Sequence, residues 1–209
     1  MLDALSAAAR RRSLAVLRER QTTMSVPELA SALAAESPNT ATDGCGSPEE
    51  VTTSLRHAHL PILDETGAVT FDPQTGLVAL AEESPFDTAW VDRLIVDHPD
   101  PAYDATLAAL ASQRRQAVLY EVFTGDVTSE GDLARAVAAH ERGIAPDEVP
   151  ETVERVVALS LTHKHLPTLI ERGLLRGDAG SRSVRAGDAG WRSDPWVAAS
   201  PIGAWATVG

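Results

Sequence analysis

The sequence predicts a mainly α chain with small β-hairpins, an α+β architecture built twice over, and three observations predict it. Residues 54–67, SLRHAHLPILDETG, return at 160–173 as SLTHKHLPTLIERG, with nine of fourteen positions identical at an offset of 106. Apolar residues before and within both blocks recur three and four apart, the period of an amphipathic helix. Each block then runs through a glycine into two short segments around turn residues, the pattern of a hairpin. A repeat of this length organises the chain before any single motif is weighed.

The correspondence extends upstream. Val51 pairs with Val157, VPELASALAAE (26–36) with EGDLARAVAAHE (130–141), and Leu5, Leu14 and Leu17 with Leu110, Leu119 and Val122. In the first unit a first helix is expected over Leu2–Arg20, with Leu2, Leu5, Leu14 and Leu17 near one face. The second helix starts at Ser25, a good N-cap, with Pro27 and Glu28 in its first turn and Leu29 and Leu33 facing the core. A polar stretch, Ser37–Ser47, contains Pro38, Gly44 and Gly46. The third helix is expected from Ser47-Pro48-Glu49 to about Thr66, and Gly67 suits the left-handed position that ends it. AVTFD and LVAL, around Pro73-Gln74-Thr75-Gly76, complete the unit as a hairpin. In the second unit the helices fall at Ala105–Phe123, Glu130–His140 and Pro150–Arg172, Gly173 ends the third, and LLRGDAGSRSVRA supplies the hairpin. The expected organisation is unit 1 over 1–80, an acidic linker over 81–102, unit 2 over 103–187 and a tail over 188–209.

Three helices followed by a two-stranded wing is the winged-helix arrangement, so the chain reads as tandem winged helix-turn-helix domains. His59-Leu60-x-x-Leu63-x-x-x-Gly67-x-Val69 is similar to the recognition-helix signature of winged-helix repressors, and His165-Leu166, Leu169, Gly173 and Leu175 repeat it. Both units resemble a winged-helix-like domain of unknown function widespread in halophilic archaea. That domain carries an arginine-rich first helix and a Leu-x-x-x-His-Leu-Pro-x-Leu segment, matched here by Leu55–Leu63 and Leu161–Leu169. The resemblance covers about Leu2–Leu80 and Tyr103–Ala186. It implies a DNA-binding or regulatory role and brings no catalytic residues with it.

Composition narrows the classes. Among 209 residues there are 30 acids and 18 bases, a net charge of −12, and Lys164 is the only lysine. At 44% hydrophobic and 4% aromatic, the core must be filled by Leu, Val and Ala. An acid-rich, nearly lysine-free chain fits a salt-rich cytoplasm, although a GC-rich genome also favours Arg over Lys. One cysteine, Cys45, excludes a disulfide framework and a Cys-based zinc finger within one chain. No apolar run approaches the ~20 residues of a membrane span, and Met1–Arg12 lacks a signal-peptide core. The expectation is a soluble, cytoplasmic protein with no membrane partner. Within the linker, Thr88–Val96 is expected to form a short helix with Trp90 and Leu94 on one face, and to dock. The tail holds Trp191, Trp196 and Trp205. They are expected to pack on the body or the linker helix; the other reading of linker and tail is a surface for a protein partner or for self-association.

The His-x-His pairs invite a metal reading, but residues i and i+2 of a helix point about 200° apart. No metal is expected, and His59 and His165 are expected to hydrogen-bond locally where Pro61 and Pro167 bend the chain. The chain has no G-x-S-x-G elbow, phosphate loop or dinucleotide turn, so neither enzyme nor cofactor is expected. For double-stranded DNA the candidates are Thr52, Thr53, Arg56 and His57 in unit 1 and Arg155, Thr162, His163 and Lys164 in unit 2. On the second wing Arg176, Arg182 and Arg185 stand against Asp178, whereas the first wing has Asp72 and no base. Arg10-Arg11-Arg12, Arg114 and Arg115 are further candidates for the DNA backbone. The expected function is a DNA-binding transcriptional regulator of a halophilic archaeon, with unit 2 the better reader. The alternative is a winged-helix protein-interaction module without DNA binding.

Overall fold

Where the first helix begins is decided by arginines rather than by the apolar period. The computed structural model describes residues 1–36, 47–97, 103–125, 129–177, 183–187 and 190–206, and it divides into two units, Met1–Leu107 and Ala108–Gly209. In the first, α1 spans Ala8–Arg20 instead of the expected Leu2–Arg20. The guanidinium of Arg10 donates to the carbonyls of Asp3 and Ala4, and that of Arg11 to the carbonyl of Leu5. The helix thus satisfies, with its own third and fourth residues, the carbonyls of a preceding turn that folds back on it.

A two-residue strand, β1 (Met24–Ser25), leads into α2 (Val26–Glu36). The Ser25 hydroxyl and backbone N–H both donate to the Glu28 carboxylate, at 2.7 and 2.8 Å, a capping arrangement that fixes the helix start. Leu29, Leu33 and Val26 of this helix are buried.

The third helical stretch departs from a plain α-helix. Val51 and Leu55 are four residues apart, but Leu60 follows after five and Leu63 after three. On an uninterrupted α-helix a five-residue step turns a side chain about 140° off the stripe. Here α3 (Pro48–Ser54) continues into a single π-turn, Leu55–His59, and then α4 (Leu60–Glu65), with the Leu60 N–H donating to the Leu55 carbonyl five residues back. The wide turn absorbs the extra residue, so Leu55, Leu60 and Leu63 are exposed by only 1%, 0% and 0%. Pro61 is a second cause beside that spacing: it has no N–H to offer and would clash with the carbonyl four residues back in an α-helix. Gly67, at φ +73, ends α4, with the Ala68 N–H donating to the Leu63 carbonyl at 2.8 Å.

The hairpin of β2 (Val69–Asp72) and β3 (Leu77–Leu80) joins β1 in a three-stranded antiparallel sheet of order β1-β3-β2. Its register sets Val69 against Leu80, Asp72 against Leu77 and Met24 against Val78. Helix α5 (Ala89–Asp97) buries Trp90, Val91, Leu94 and Ile95 and packs on α1. Arg18 ties the two by donating to Asp92 and to the Phe86 carbonyl.

The boundary between the units falls within α6 (Asp104–Leu110). One helix was expected over Ala105–Phe123; instead α6 ends at Leu110 and α7 (Gln113–Thr124) starts anew, capped by the Ser112 side chain. The reason repeats that of unit 1. Arg115 donates to the Ala108 and Ala109 carbonyls and Gln116 to that of Leu110. Ser129 caps α8 (Glu130–Arg142). Then α9 (Glu151–Ser160), the π-turn Leu161–His165 and α10 (Leu166–Glu171) reproduce the third helix around Pro167, with Val157, Leu161, Leu166 and Leu169 buried. Strands β4 (Leu175–Gly177) and β5 (Val184–Ala186) form a two-stranded antiparallel hairpin, and a Ser129–Ser183 bridge stands where unit 1 has β1.

The tail packs within unit 2. Trp191 and Trp196 are buried, and α11 (Pro195–Ala199) is followed by α12 (Gly203–Ala206), which lies on α7. Phe123 meets Trp205 at 6.2 Å and Trp191 at 6.4 Å between ring centroids, with the Arg192 guanidinium 4.4 Å over its ring. A tail whose tryptophans are held in this way offers little of them as a surface.

Candidate nucleic-acid interface

Several exposed cations of unit 2 lie at the C-terminal half of its third helix and on the adjoining hairpin. Thr162, His163 and Lys164 sit in the π-turn, whose widened course leaves all three exposed while Leu161 and His165 turn inward. On the hairpin, Leu175 and Val184 are buried and Arg176 and Arg185 are exposed, as strand alternation requires. Arg176 stands directly opposite Arg185 in the register. Like charges facing each other across a strand pair are destabilising. Strand β4 runs beside α10, since a Cβ added at Gly177 would meet the Ile170 side chain. Arg172, exposed at the end of α10, adds a further cation that the sequence reading omitted.

The helix is polarised in charge. Asp147, Glu148 and Glu151 cluster before and at its N-terminus, and Arg155 lies among them, pairing with Glu151 at 2.7 Å with both side chains largely exposed. Such an exposed pair is worth little in itself. Arg182 and Asp178 lie outside the described residues.

Unit 1 does not present the same chemistry. Arg56, expected on its DNA face, donates to the Pro73 carbonyl in the hairpin turn and is half-buried. The hydroxyls of Thr52 and Thr53 donate to the carbonyls of Pro48 and Glu49, four residues back. His57 is exposed. The hairpin turn is organised by Asp72, which accepts from the Gln74 N–H and the Thr75 hydroxyl.

Arg10 and Arg11 are buried, and Arg114 and Arg115 are engaged within unit 2, a correction to their reading as contacts for the DNA backbone. Arg10 is 8% exposed and Arg11 0%, the latter also pairing with Asp104 at 2.8 Å. Arg12 is half-buried. Arg115 holds the carbonyls at the end of α6. Arg114 grips Glu141 through two bonds of 2.6 Å and donates to Ser160 at 3.2 Å. That bidentate pair holds the guanidinium pKa above its ordinary value. A run of arginines in an acidic chain reads as a solvated face, yet here Arg10, Arg11, Arg114 and Arg115 reach back to their own units.

The inner histidines are a second correction. His59 and His165 were expected to hydrogen-bond at the bend, but the Nδ1 of each is buried without a hydrogen-bond partner among the described residues. Burial, reinforced by Arg10 at His59 and by Arg115 and Arg114 at His165, pushes both imidazoles below the ordinary histidine range. Their neighbours His57 and His163 face outward. Among the described residues no group of three His, Cys, Asp or Glu side chains is placed to hold a metal ion, and Cys45 lies outside them.

Two further residues escaped the sequence reading. Val156 and Leu159 are 64% and 57% exposed on α9, among the largest apolar exposures described. The repeat carried a signal for them: at the offset of 106, unit 1 has Glu50 and Thr53.

Among the described residues no helix is long and apolar enough to cross a membrane. One family model, described as a domain of unknown function (DUF7344), matches the chain twice, over residues 2–79 and 107–185. No curated protein and no solved structure matches it.

Proposed function

The chain belongs to the DUF7344 family, a domain of unknown function that it carries in two copies, and we propose that it is a winged-helix transcriptional regulator that binds double-stranded DNA through unit 2. The order of elements supports the winged-helix reading: helix, short strand or bridge, two helices, then a two-stranded wing, with the sheet order β1-β3-β2 in unit 1. The observation that carries the DNA reading is the wing of unit 2. Arg176 and Arg185 face each other in register on the exposed face of the hairpin, and a phosphate lying between them would attract both guanidinium groups. Thr162, His163 and Lys164 on the adjacent helix supply donors for phosphates or base edges. The acidic N-terminal end of the helix directs the duplex towards its C-terminal half and the wing.

The reading includes no catalysis and no cofactor. Thirty acids with a single lysine suit a halophilic archaeal cytoplasm. At 1 M salt the Debye length is about 3 Å, so a net charge of −12 hardly repels a duplex there. A second reading, a protein-interaction module without DNA binding, is favoured by the base-free wing of unit 1. Fluorescence-anisotropy titration with genomic duplex fragments across multimolar KCl separates the two. Saturable binding is expected; none at any salt, alongside a reproducible protein partner, would leave the second reading standing.

A further inference from the structure

We infer that Val156 and Leu159 of α9 read thymine methyl groups, making unit 2 selective for A·T-containing duplex. The inference rests on the DNA-binding reading above. Every other apolar residue in the repeated stripe of this helix, Val157, Leu161, Leu166 and Leu169, is no more than 3% exposed, whereas Val156 and Leu159 are 64% and 57% exposed. Residues three apart share a helix face, so the two form one outward apolar step. In unit 1 the same positions are Glu50 and Thr53; the step therefore belongs to the unit with the cationic wing and is not required by the fold.

The surroundings select the occupant. Towards the N-terminus the step is flanked by Arg155, which is paired with Glu151, and towards the C-terminus by exposed His163 and Lys164, with the hairpin that carries Arg176 and Arg185 packed on the continuing helix α10. The cationic C-terminal flank fits a polyanion. A stable protein interface buries about 800 Å² per partner, which two aliphatic side chains do not approach. Along the major groove the C5-methyl of thymine is the apolar group that a base pair presents to a helix. Valine and leucine can pack on it without leaving a donor or acceptor of their own unpaired. Against G·C they would cover the cytosine amino group and the guanine acceptors with hydrocarbon, and those groups would lose their water partners. Packing on a methyl group also escapes the ionic screening that weakens phosphate contacts in concentrated salt.

The test compares two probes that differ only in the methyl groups: an alternating dA·dT duplex and its dA·dU counterpart. The intact chain and the variant Val156→Ser/Leu159→Ser are titrated against each by anisotropy at one fixed KCl concentration. Both positions are exposed, and circular dichroism checks that the variant remains folded. Wild type should bind dA·dT tighter by about fourfold for each methyl group buried, about fifteenfold for two, and the variant should bind both duplexes equally. Equal wild-type affinity for the two duplexes would overturn this inference and leave DNA binding intact. A preference retained in the variant would remove Val156 and Leu159 from the contact. Binding to neither duplex would overturn the DNA reading along with it.

Discussion

Deleting Ala58 tests why the third helix contains a π-turn. Ala58 is exposed and lies inside that turn, so its loss removes no core contact. Without it the step from Leu55 to Leu60 closes from five residues to four, and a plain α-helix would keep Leu55, Leu60 and Leu63 on one face. The remaining obstacle is Pro61, whose ring would then meet the carbonyl four residues back. A proline inside an α-helix costs about 3 kcal/mol, so the deletion alone should destabilise unit 1 by about that amount. Pro61→Ala alone keeps the wide turn and should cost about 1 kcal/mol or less. The deletion combined with Pro61→Ala should return to within about 1 kcal/mol of wild type, a coupling of about 3 kcal/mol between neighbouring changes. Urea unfolding read by hydrogen exchange at the α4, β2 and β3 amides follows unit 1 without assuming that both units unfold together. A neutral deletion would show that the wide turn is dispensable. A double variant as unstable as the deletion would show that Pro61 is not its cause.

Other outcomes follow from the same geometry. Leu169→Ala, at a site 0% exposed, should cost about 2–5 kcal/mol in denaturant melts, whereas Lys164→Ala should stay within about 0.5 kcal/mol; equal costs would mean that the helix is rotated. Arg114→Gln removes the two hydrogen bonds to Glu141, and because the pair is 29% and 27% exposed the loss should be about 1 kcal/mol, with DNA affinity unchanged. Weaker DNA binding without lost stability would instead put this guanidinium on the duplex. The depressed imidazoles of His59 and His165 mean that the unfolded chain takes up these protons first. Stability should hold above the ordinary value of 6.5 and fall as pH drops through the lower folded values. Unfolding midpoints between about pH 8 and pH 5 should show that fall, with a smaller slope in His59→Gln and His165→Gln; an unaltered slope in both would contradict the assignment.

The repeat made the unit count, the order of helices and the hairpins legible, because nine identities in a fourteen-residue block leave little freedom in how the two copies fold. Gly67 and Gly173 marked their helix ends for a backbone reason, since both adopt positive φ. The start of α1 and the break between α6 and α7 were not legible. Leu2, Leu5 and Leu110 keep a helical period on either side of those breaks, and the period does not record that Arg10, Arg11, Arg115 and Gln116 bond to carbonyls behind them. The π-turn could have been read: a four-five-three spacing of core leucines with a proline after the five-residue step fits no uninterrupted α-helix. At the candidate site, exposure of Thr162, His163, Lys164, Arg176 and Arg185 agrees with their place on the outer face. Arg56, Arg114 and Arg115 have partners within their own units, because a long guanidinium side chain can reach a group several residues away, which charge pattern alone does not reveal.

The central claim, that the wing of unit 2 grips a duplex, is tested most directly by the salt dependence of DNA affinity in Arg176→Ala/Arg185→Ala. Both side chains are exposed on the hairpin, so the variant should stay within about 0.5 kcal/mol of wild-type stability. The slope of log affinity against log KCl changes by about 0.9 per phosphate neutralised, so the double variant should be shallower by about two units. Arg56→Ala, whose guanidinium is held by the Pro73 carbonyl, should keep the wild-type slope. A double variant with the wild-type slope and affinity, or a wild-type protein that binds no duplex at any salt, would contradict the account.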